Sequence, residues 1–327
     1  MWGGLYNMTK KEENNLDEFF DTTRKDINKK IDHIITDKKI VEILNGGKRL
    51  RSMLGALAFR ACKPNQTKKD YQRALEGGVT IELAHGASLV HDDIIDKDKE
   101  RRGKDAVYVN QGVGKAILTG HKMLVQGFDI ALKHGKDWAK LYVDSWNEVV
   151  NGEIDEVEFN LNGKDFKKTA SKSQIFKAYN KIIDLKTAAM FSSACKSGAL
   201  GANMSGDILK VFADYGREIG LAYQLADDLV DLFKGEIIDS VVVPILNRLE
   251  GKTSGIKPLQ KWEIKRKFSK NKDKIQEMYI EEIEKHVKKA QDLSKSNLIP
   301  KSTYKDMLID APKYIINKML DEINVSV

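Results

Sequence analysis

Two short clusters of aspartates are the residues of this chain best suited to chemistry. Both have the pattern Asp-Asp-x-x-Asp, and their members are Asp92, Asp93, Asp96, Asp227, Asp228 and Asp231. On a helix, residues four apart share a face, so the first and last aspartates of each cluster would lie side by side. Carboxylates among apolar residues repel one another and are costly to bury without a cation. Hard oxygen ligands of this kind favour Mg²⁺ over zinc or a softer metal.

A solvated helix face is the alternative interpretation of either cluster alone, because charged residues make up 31% of the chain. Two copies, each within a long apolar segment, favour a shared metal site instead. His91, which directly precedes the first cluster, is interpreted as a packing residue.

Basic residues occur where they could meet a phosphate held by such a metal. The pair Gly46-Gly47 precedes Lys48 and Arg51; glycine N–H groups can approach an anion, and these two cations share a helix face. The run Arg101-Arg102-Gly103 begins five residues after Asp96, within reach of the end of that helix. Metal ions and cations together favour departure of a diphosphate from carbon, because both stabilise the growing negative charge.

The elements that must position these residues are helices. Apolar residues recur at helical spacing along most of the chain, which predicts an all-α protein with a single domain over residues 1–327. A capping box at Thr67 to Asp70 marks the start of one helix. Long helices are predicted over 67–96, from about 173 to 198, and from 205 or 207 to about 233. Loops are predicted at 63–66, 97–103, 160–173, 198–205, 234–240 and 251–258, and the apolar run 241–243 is too isolated to build a sheet.

The composition excludes several classes of protein. Lysine and arginine number 55 against 48 aspartates and glutamates, so the net charge is +7, which suits polyanionic partners. Binding to nucleic acid is disfavoured, because it would place lysines and aromatics along one face rather than six aspartates in apolar helices. The sequence contains no Walker loop and no dinucleotide fingerprint, and it suggests no Ser-His-Asp or Cys-His catalytic site.

Five motifs, in this order, closely resemble those of the trans-isoprenyl diphosphate synthases, or polyprenyl synthetases. They lie between about residues 42 and 244, at 46–51, 92–96, 101–103, 186–187, and 224 with 227–231. The resemblance implies a bundle of antiparallel helices around a deep central cavity, usually as a homodimer. It also implies condensation of isopentenyl diphosphate with an allylic diphosphate by ionisation, condensation and elimination. Mg²⁺ is the implied cofactor, as three ions bridging the aspartates and diphosphate.

The resemblance assigns a role to each candidate residue. Isopentenyl diphosphate would be bound by Lys48, Arg51, His85 and Arg102. The allylic diphosphate would be bound by Arg101, Lys186 and Lys234, and its cationic carbon would be stabilised by Thr187 and Gln224. The direct Mg²⁺ ligands would be Asp92, Asp96 and Asp227, with direct or indirect support from Asp93, Asp228 and Asp231. The departing diphosphate would act as the base, so no protein base is required.

Three positions depart from the family pattern. Gly120-His121 stands where the family usually has Gly-Asp, and Gly152-Glu153 replaces Gly-Gln. We expect His121 and Glu153 to alter packing near the cavity. The family's Gly-Lys-x-Thr is missing after Asp239, which would change how the loop following Lys234 closes over the allylic diphosphate.

Product length is predicted from the residues just before the first cluster. The growing chain should descend beside this helix, where Ala87, followed by Ser88, lies about 7.5 Å below Asp92. Neither side chain is bulky, so the product should have twenty carbons or more, and Ala87→Phe should shorten it. Geranylgeranyl diphosphate (C20) is favoured, with C25 or longer chains as the alternative. The cavity floor would be formed by Met123, Leu124 or Phe128.

Two other functions would use related features. A terpene cyclase or head-to-head synthase would ionise a similar substrate but would not need the isopentenyl site that Lys48, Arg51 and Arg102 favour. A non-catalytic synthase subunit would be expected to lose aspartates, and both clusters are intact.

The location predicted from the sequence is the cytoplasm. Apolar stretches are broken well short of the ~20 residues needed to cross a bilayer, and the N-terminus does not resemble a signal or transit peptide. Any membrane contact is expected to be transient and to serve product release. Cys62 and Cys195 are too few for a disulfide framework and are predicted to be buried thiols.

Overall fold

The computed structural model describes residues 10–162, 171–235 and 261–327, which are helical almost throughout and confirm the all-α prediction. The helices are, in chain order, α1 (Lys10–Ile34), α2 (Lys38–Leu44), α3 (Leu50–Cys62), α4 (Lys68–Asp96), α5 (Val107–Gln111), α6 (Val113–Lys133), α7 (Lys136–Asn162), α8 (Lys172–Ile183), α9 (Ala189–Gly201), α10 (Asp207–Lys234), α11 (Lys261–Ser294) and α12 (Thr303–Leu320). A π-helical turn (Asp184–Ala188) joins α8 to α9, and a 3₁₀ turn (Asp321–Ile323) follows α12.

The first aspartate cluster lies at the C-terminal end of α4. This helix begins with the predicted capping box, in which the Thr67 hydroxyl accepts the N–H of Asp70 at 3.2 Å and the Asp70 carboxylate accepts the N–H of Thr67 at 3.1 Å. It ends at Asp96 because Lys97 adopts a left-handed conformation with φ of 62°. The negative end of the helix dipole therefore lies at the cluster, where carboxylates are disfavoured without compensating cations.

The second cluster lies near the C-terminal end of α10, whose bounds agree with the predicted helix to within one residue at its C-terminal end. The third predicted helix is helical throughout, from Lys172 to Gly201, but it contains a π turn. Lys186 and Thr187 lie in the π turn between α8 and α9. A π turn holds one more residue than an α turn and often occurs at functional sites. Apolar spacing did not reveal it, because a single extra residue leaves the pattern on both sides intact.

The segment between the first cluster and α5 was predicted as a loop and contains a short antiparallel ribbon. Strands β1 (Glu100–Arg101) and β2 (Lys104–Asp105) pair Glu100 with Asp105 and Arg101 with Lys104. Strands of two residues are too short to show alternation in a sequence. The tight turn requires left-handed backbone at Arg102 and Gly103, whose φ values are 55° and 73°. The ribbon thereby brings Arg101 back to Asp93 of α4 and Arg102 to the C-terminal end of α2.

Two hydrophobic cores hold the bundle together. The larger lies between α1, α3, α4, α9, α10 and α12, and its fully buried side chains include Leu54, Phe59, Leu83, Phe191 and Tyr215. The smaller packs the C-terminal half of α10 against α8 and α11, with Tyr179, Leu225, Leu229, Tyr279 and Ile283. A Cβ at Gly198 would lie 2.0 Å from the carbonyl oxygen of Gly55, so α3 and α9 are in backbone contact.

Cys62 and Cys195 are buried and unpaired, as predicted. None of the described helices contains a segment both long and apolar enough to cross a bilayer. Helices α7 and α9 extend into the predicted loops at 160–173 and 198–205. Predictions that lie outside the described residues are those for 163–170, 236–240, 241–243 and 251–258, including the departure after Asp239.

Candidate active site

One cavity of about 250 Å³ lies between the two helices that carry the aspartates. Asp92 of α4 lines one side of it and Asp227 of α10 lines another, so both clusters face a common space. The cavity also contains other residues that the sequence analysis selected, namely Arg51, His85, Ser88, Lys186, Thr187 and Gln224. Candidate residues from four helical segments, namely α3, α4, the π turn and α10, thus meet at one site.

The middle aspartate of each cluster points into the protein. Asp93 is 2% exposed and accepts a hydrogen bond from Arg101 Nε at 2.7 Å. Asp228 is 3% exposed and accepts hydrogen bonds from Gln224 Nε2, at 2.9 Å, and from the Tyr179 hydroxyl. Burial raises the pKa of Asp228 to about 7, although both hydrogen bonds favour its ionised form. These two carboxylates therefore support the site from behind.

The carboxylates fit a hard divalent cation. Burial raises the pKa of Asp92 to about 7; Lys186 opposes this shift, whereas Glu153 and Asp96 add to it. Glu153 Oε1 is buried and has no hydrogen-bond partner within the described residues. Oxygen donors with surplus negative charge suit Mg²⁺, which binds one or two carboxylates together with waters and phosphate oxygens. In the described ranges no three acidic, histidine or cysteine side chains form a metal site by themselves, so such shared ligation would be required.

A buried ion pair fixes the basic loop before α3. Arg49, with a left-handed φ of 58°, pairs through Nη1 with Glu82 Oε2 at 2.9 Å, and both side chains are less than 5% exposed. The Ser52 hydroxyl donates to the other Glu82 oxygen at 2.6 Å. Because breaking a buried ion pair leaves an unpaired charge at a cost of about 3–5 kcal/mol, this loop is firmly held. The neighbouring Lys48 is left exposed to solvent.

Arg51 and His85 form the basic wall of the cavity. Arg51 Nη1 donates to His85 Nε2 at 3.2 Å, and its guanidinium lies 4.6 Å from the centre of the Phe191 ring. Burial and the nearby arginine hold the pKa of His85 well below its usual value, so the imidazole is neutral and accepts this hydrogen bond. Arg51 also opposes the burial-driven rise in the pKa of Asp227, which indicates that the two charges interact across the cavity.

Arg101 and Arg102 are engaged by the protein itself. Besides Asp93, Arg101 pairs with Asp98 at 3.2 Å. Arg102 Nη1 donates to the carbonyl of Asn45, at the C-terminal end of α2, at 3.1 Å. A guanidinium has five N–H donors, so each arginine retains donors for a phosphate.

Lys186 is held by two glutamates of α7. Its Nζ lies 2.8 Å from Glu153 Oε2 and also pairs with Glu156. These attractions, together with that of Asp92, raise the pKa of Lys186 against the opposing effect of burial. A Cβ at Gly152 would lie 2.5 Å from the backbone nitrogen of Lys186, so only glycine allows α7 to approach the π turn this closely.

Thr187 and Gln224 are joined to each other. The Thr187 hydroxyl donates to Gln224 Oε1 at 2.9 Å, and Gln224 Nε2 donates to Asp228. Both residues line the cavity, next to the second cluster.

Of the remaining candidates, Lys234 and Ala87 do not line the cavity, whereas Ser88 does. Lys234, at the end of α10, pairs with Glu322 at 2.5 Å and does not line the cavity. Ala87 is fully buried in the larger core. Ser88 instead lines the cavity and also a second one of about 400 Å³, which is mostly apolar and runs between α4, α6 and α7. Helix α6 contributes Ile117 and His121 to this second cavity, rather than the expected floor residues.

A family model for the polyprenyl synthetases matches residues 34–239, more than half of the chain and all five motifs. The chain belongs to the polyprenyl synthetase family. Among its relatives, the geranylgeranyl diphosphate synthase of Methanosarcina mazei is 31% identical over 193 residues, covering 57% of this chain and 55% of that protein. The short chain isoprenyl diphosphate synthase of Methanothermobacter thermautotrophicus is 33% identical over 199 residues, covering 59% and 57%.

The fold of this polyprenyl synthetase agrees with solved structures. The geranylgeranyl pyrophosphate synthetase from Geoglobus acetivorans superimposes with a TM-score of 0.73 at 21% identity, covering 91% of this chain and 99% of that one. At that identity the likeness shows the fold alone. The chain spans only a little over half the length of the curated relatives it matches in sequence.

Several residues of the site were not found from the sequence. From the sequence, Glu156 is not selected and Glu153 is interpreted only as a packing residue. Because the two residues are three apart, they share one helix face beside Gly152, and this spacing could have indicated that both contact the same partner. Tyr179 and the buried pair of Arg49 and Glu82 carried no comparable signal, because their partners are distant in the sequence.

The raised pKa of Asp92 predicts how stability depends on pH. Without Mg²⁺, a carboxyl whose folded pKa is about 7 and whose unfolded pKa is about 4 costs stability as the pH rises from about 4 to about 7. In EDTA at pH 8, Asp92→Asn should therefore have a free energy of unfolding higher than that of the native protein, by on the order of 1 kcal/mol. It should accordingly unfold at a higher temperature. Calorimetry at pH 5 and pH 8 measures this.

The exposed Asp129 provides the control for this measurement, because its ion pair among the described residues is with Lys133 on its own helix. Asp129→Asn should show no gain at either pH. The assigned electrostatics would be contradicted if the native protein were as stable at pH 8 as at pH 5 and Asp92→Asn were no more stable than the native protein.

Proposed function

We propose that this chain is a Mg²⁺-dependent prenyltransferase that condenses isopentenyl diphosphate with allylic diphosphates to give a trans-polyprenyl diphosphate. The observation that carries the proposal is the single cavity shared by Asp92, Asp227, Arg51, Lys186 and Gln224. Such a cavity combines carboxylates for metal, cations for phosphate and oxygens for a carbocation. Family membership and the names of the relatives support the same reaction.

Each wall of the cavity has a proposed task. Isopentenyl diphosphate would lie against Lys48, Arg51, His85 and Arg102. The allylic diphosphate would lie against Arg101, Lys186 and Lys234, after their protein partners exchange for phosphate. Mg²⁺ would be held by Asp92, Asp96 and Asp227, with Asp231, Asp93 and Asp228 in support, and would stabilise the departing diphosphate.

The cationic carbon would be stabilised by the oxygen atoms of Thr187 and Gln224. The isopentenyl double bond would attack this carbon, and a proton would then be lost to the departing diphosphate. Water must be kept away from the cation, and the apolar residues that surround the second cavity would serve this purpose. No side chain of the cavity needs to act as a general base.

The reaction is tested with purified protein, labelled isopentenyl diphosphate and allylic primers of five, ten and fifteen carbons. Chain elongation should require Mg²⁺ and stop with EDTA, and Asp227→Asn should lower kcat by about 100-fold or more, as loss of electrostatic stabilisation in a catalytic site does. Asp129→Asn, on the protein surface, should leave it unchanged. Absence of product with every primer would refute the proposal.

The same assay separates the alternatives. Turnover of an allylic diphosphate without isopentenyl diphosphate would favour a cyclase or head-to-head synthase. Activity that appears only after a second synthase is added would favour a non-catalytic subunit.

Product length is proposed to depend on Ser88 rather than on Ala87. Ser88 lines both cavities, so a chain leaving the reaction site along α4 would pass it. The second cavity, of about 400 Å³, would take the growing hydrocarbon, for which C20 is the proposed length and C25 or longer the alternative.

We therefore expect Ser88→Phe to shorten the product by at least one five-carbon unit, because its ring would fill the junction of the cavities. Ala87→Phe is the matched comparison. Since Ala87 is fully buried in the larger core, the same ring there should cost about 1–3 kcal/mol of stability by overpacking. Thin-layer analysis of labelled products measures the length, and an unchanged product from Ser88→Phe would exclude this route.

We also propose that the protein forms a homodimer through α6 and α7. Leu118, Val125 and Leu132 recur every seven residues on α6 and are 68%, 67% and 54% exposed, and Val143 and Val150 are exposed on the adjacent α7. Contiguous exposed apolar surface on two packed helices is typical of a protein interface. The second cavity opens beside this face, so a partner would cover it.

The dimer is tested with the double variant Leu118→Glu, Val125→Glu. It should elute as a monomer in size-exclusion chromatography with light scattering, because two charges per protomer would be buried unpaired. Leu298→Glu, at a residue that is 50% exposed outside α6 and α7, is the control and should remain dimeric. A native protein that is itself monomeric would contradict the proposal.

We place this enzyme in the cytoplasm as one domain without a nucleic-acid partner, in contact with membranes only to release its product. The water-soluble diphosphate substrates of the proposed reaction support this location.

A further inference from the structure

Behind the second aspartate cluster, a buried tyrosine is linked through Asp228 to Gln224, which lines the reaction cavity. Tyr179, on α8, is 6% exposed, and its hydroxyl donates to Asp228 Oδ2. Asp228 Oδ1 accepts from Gln224 Nε2, and Gln224 Oε1 accepts from Thr187. We propose that Tyr179 is a positioning residue that acts through Asp228 to keep the amide oxygen of Gln224 turned towards Thr187 and the cavity. This inference rests on the proposed function.

The orientation of Gln224 matters because its two ends have opposite electrostatic character. The amide oxygen is an acceptor with lone pairs, whereas the NH₂ group is a donor with partial positive charge. Only the oxygen end can stabilise a carbocation. An amide turned by 180° about its last bond would present N–H groups to the positive carbon and would raise the barrier to ionisation.

Asp228 decides which end faces the cavity. Both of its oxygens accept hydrogen bonds, Oδ2 from Tyr179 and Oδ1 from the NH₂ end of Gln224, which leaves the oxygen end of Gln224 for Thr187. The carboxylate itself must be held, because it is buried beside two further aspartates, Asp227 and Asp231, that repel it. Within the described residues its hydrogen-bond donors are the Tyr179 hydroxyl and the Gln224 amide.

The tyrosine therefore does two things. It supplies half of the hydrogen bonds that compensate a buried negative charge, and it occupies Oδ2 so that Oδ1 is the oxygen left for Gln224. Without the hydroxyl, Oδ2 loses its partner, and the carboxylate is free to rotate or to bring Gln224 towards the vacated oxygen. Such outer partners of a site typically contribute 10–100-fold to activity without touching the reactants.

A second tyrosine in the same core provides a matched control. Tyr279, on α11, is fully buried, and its hydroxyl has no hydrogen-bond partner within the described residues. Tyr179 and Tyr279 both pack in the smaller core, so replacing either with phenylalanine removes one buried oxygen from the same surroundings. Both hydroxyls lie near Asp228, but of the two only that of Tyr179 donates a hydrogen bond to it.

The test compares the native protein with Tyr179→Phe and Tyr279→Phe under saturating Mg²⁺ and both diphosphates. Tyr179→Phe should lower kcat by 10–100-fold and change KM for isopentenyl diphosphate by less than about twofold, because Arg51 and His85 are untouched. Tyr279→Phe should retain native kcat. Equal kcat values for the two variants would overturn the inference.

A double-mutant cycle with Gln224→Leu separates positioning from a general loss of folded protein. If Tyr179 acts through Gln224, Tyr179→Phe should cause little further loss of kcat when leucine already occupies position 224. A folding defect would instead lower kcat by the same factor in both backgrounds, and that result would also overturn the inference. Single-turnover measurements with labelled isopentenyl diphosphate give the low rates that the cycle requires.

Failure of the proposed function is distinguishable from failure of this inference. If the native protein makes no product with any primer, the proposed reaction is wrong and the cycle has no starting rate. If the native protein is active but Tyr179→Phe and Gln224→Leu lower kcat independently, the proposed reaction is supported and the proposed role of Tyr179 is wrong.

Discussion

Negative charge held at the ends of two helices is the constraint on which the rest of the site depends. Both aspartate clusters lie where the helix dipole disfavours them, and burial raises the pKa values of Asp92 and Asp228 to about 7. The two clusters compensate for this free-energy cost in different ways. The α4 cluster has Arg101 against Asp93, whereas the α10 cluster relies on two uncharged donors for Asp228. The cavity between them therefore carries a deficit of positive charge.

The cations of the site are paired in a way that suits the exchange of ligands. Lys186 lies against Glu153 and Glu156, and Arg101 against Asp93, so the cations proposed to bind phosphate are paired with carboxylates of the protein. In the proposed reaction, a metal diphosphate would supply new partners for both kinds of charge. The carboxylates would then hold the metal and the cations would bind the phosphate, so that no buried charge is left unpaired.

Periodicity predicted the fold class and the helix carrying each cluster, because it is a local property of the sequence. The prediction that residues such as His85, Lys186 and Gln224 share one site came from the resemblance of the motifs to those of the family. The sequence did not predict the π turn at Lys186, since one inserted residue leaves the apolar pattern on either side unchanged. Nor did it predict which of Ala87 and Ser88 faces the cavity. Adjacent helix positions differ by 100°, so a small rotation of α4 decides between them, and that rotation is set by packing against other helices.

The departures from the family pattern that lie in described residues fall in one place. His121 and Glu153 both line the second cavity, where the His121 ring lies 5.4 Å from that of His91. Glu153 also lines the reaction cavity, where its carboxylate pairs with Lys186 and adds to the rise in the pKa of Asp92. This departure therefore lies between the charges of the reaction cavity and the surface along which a hydrocarbon would extend. Polar side chains on that surface would limit the path by shape and by the cost of burying them against carbon.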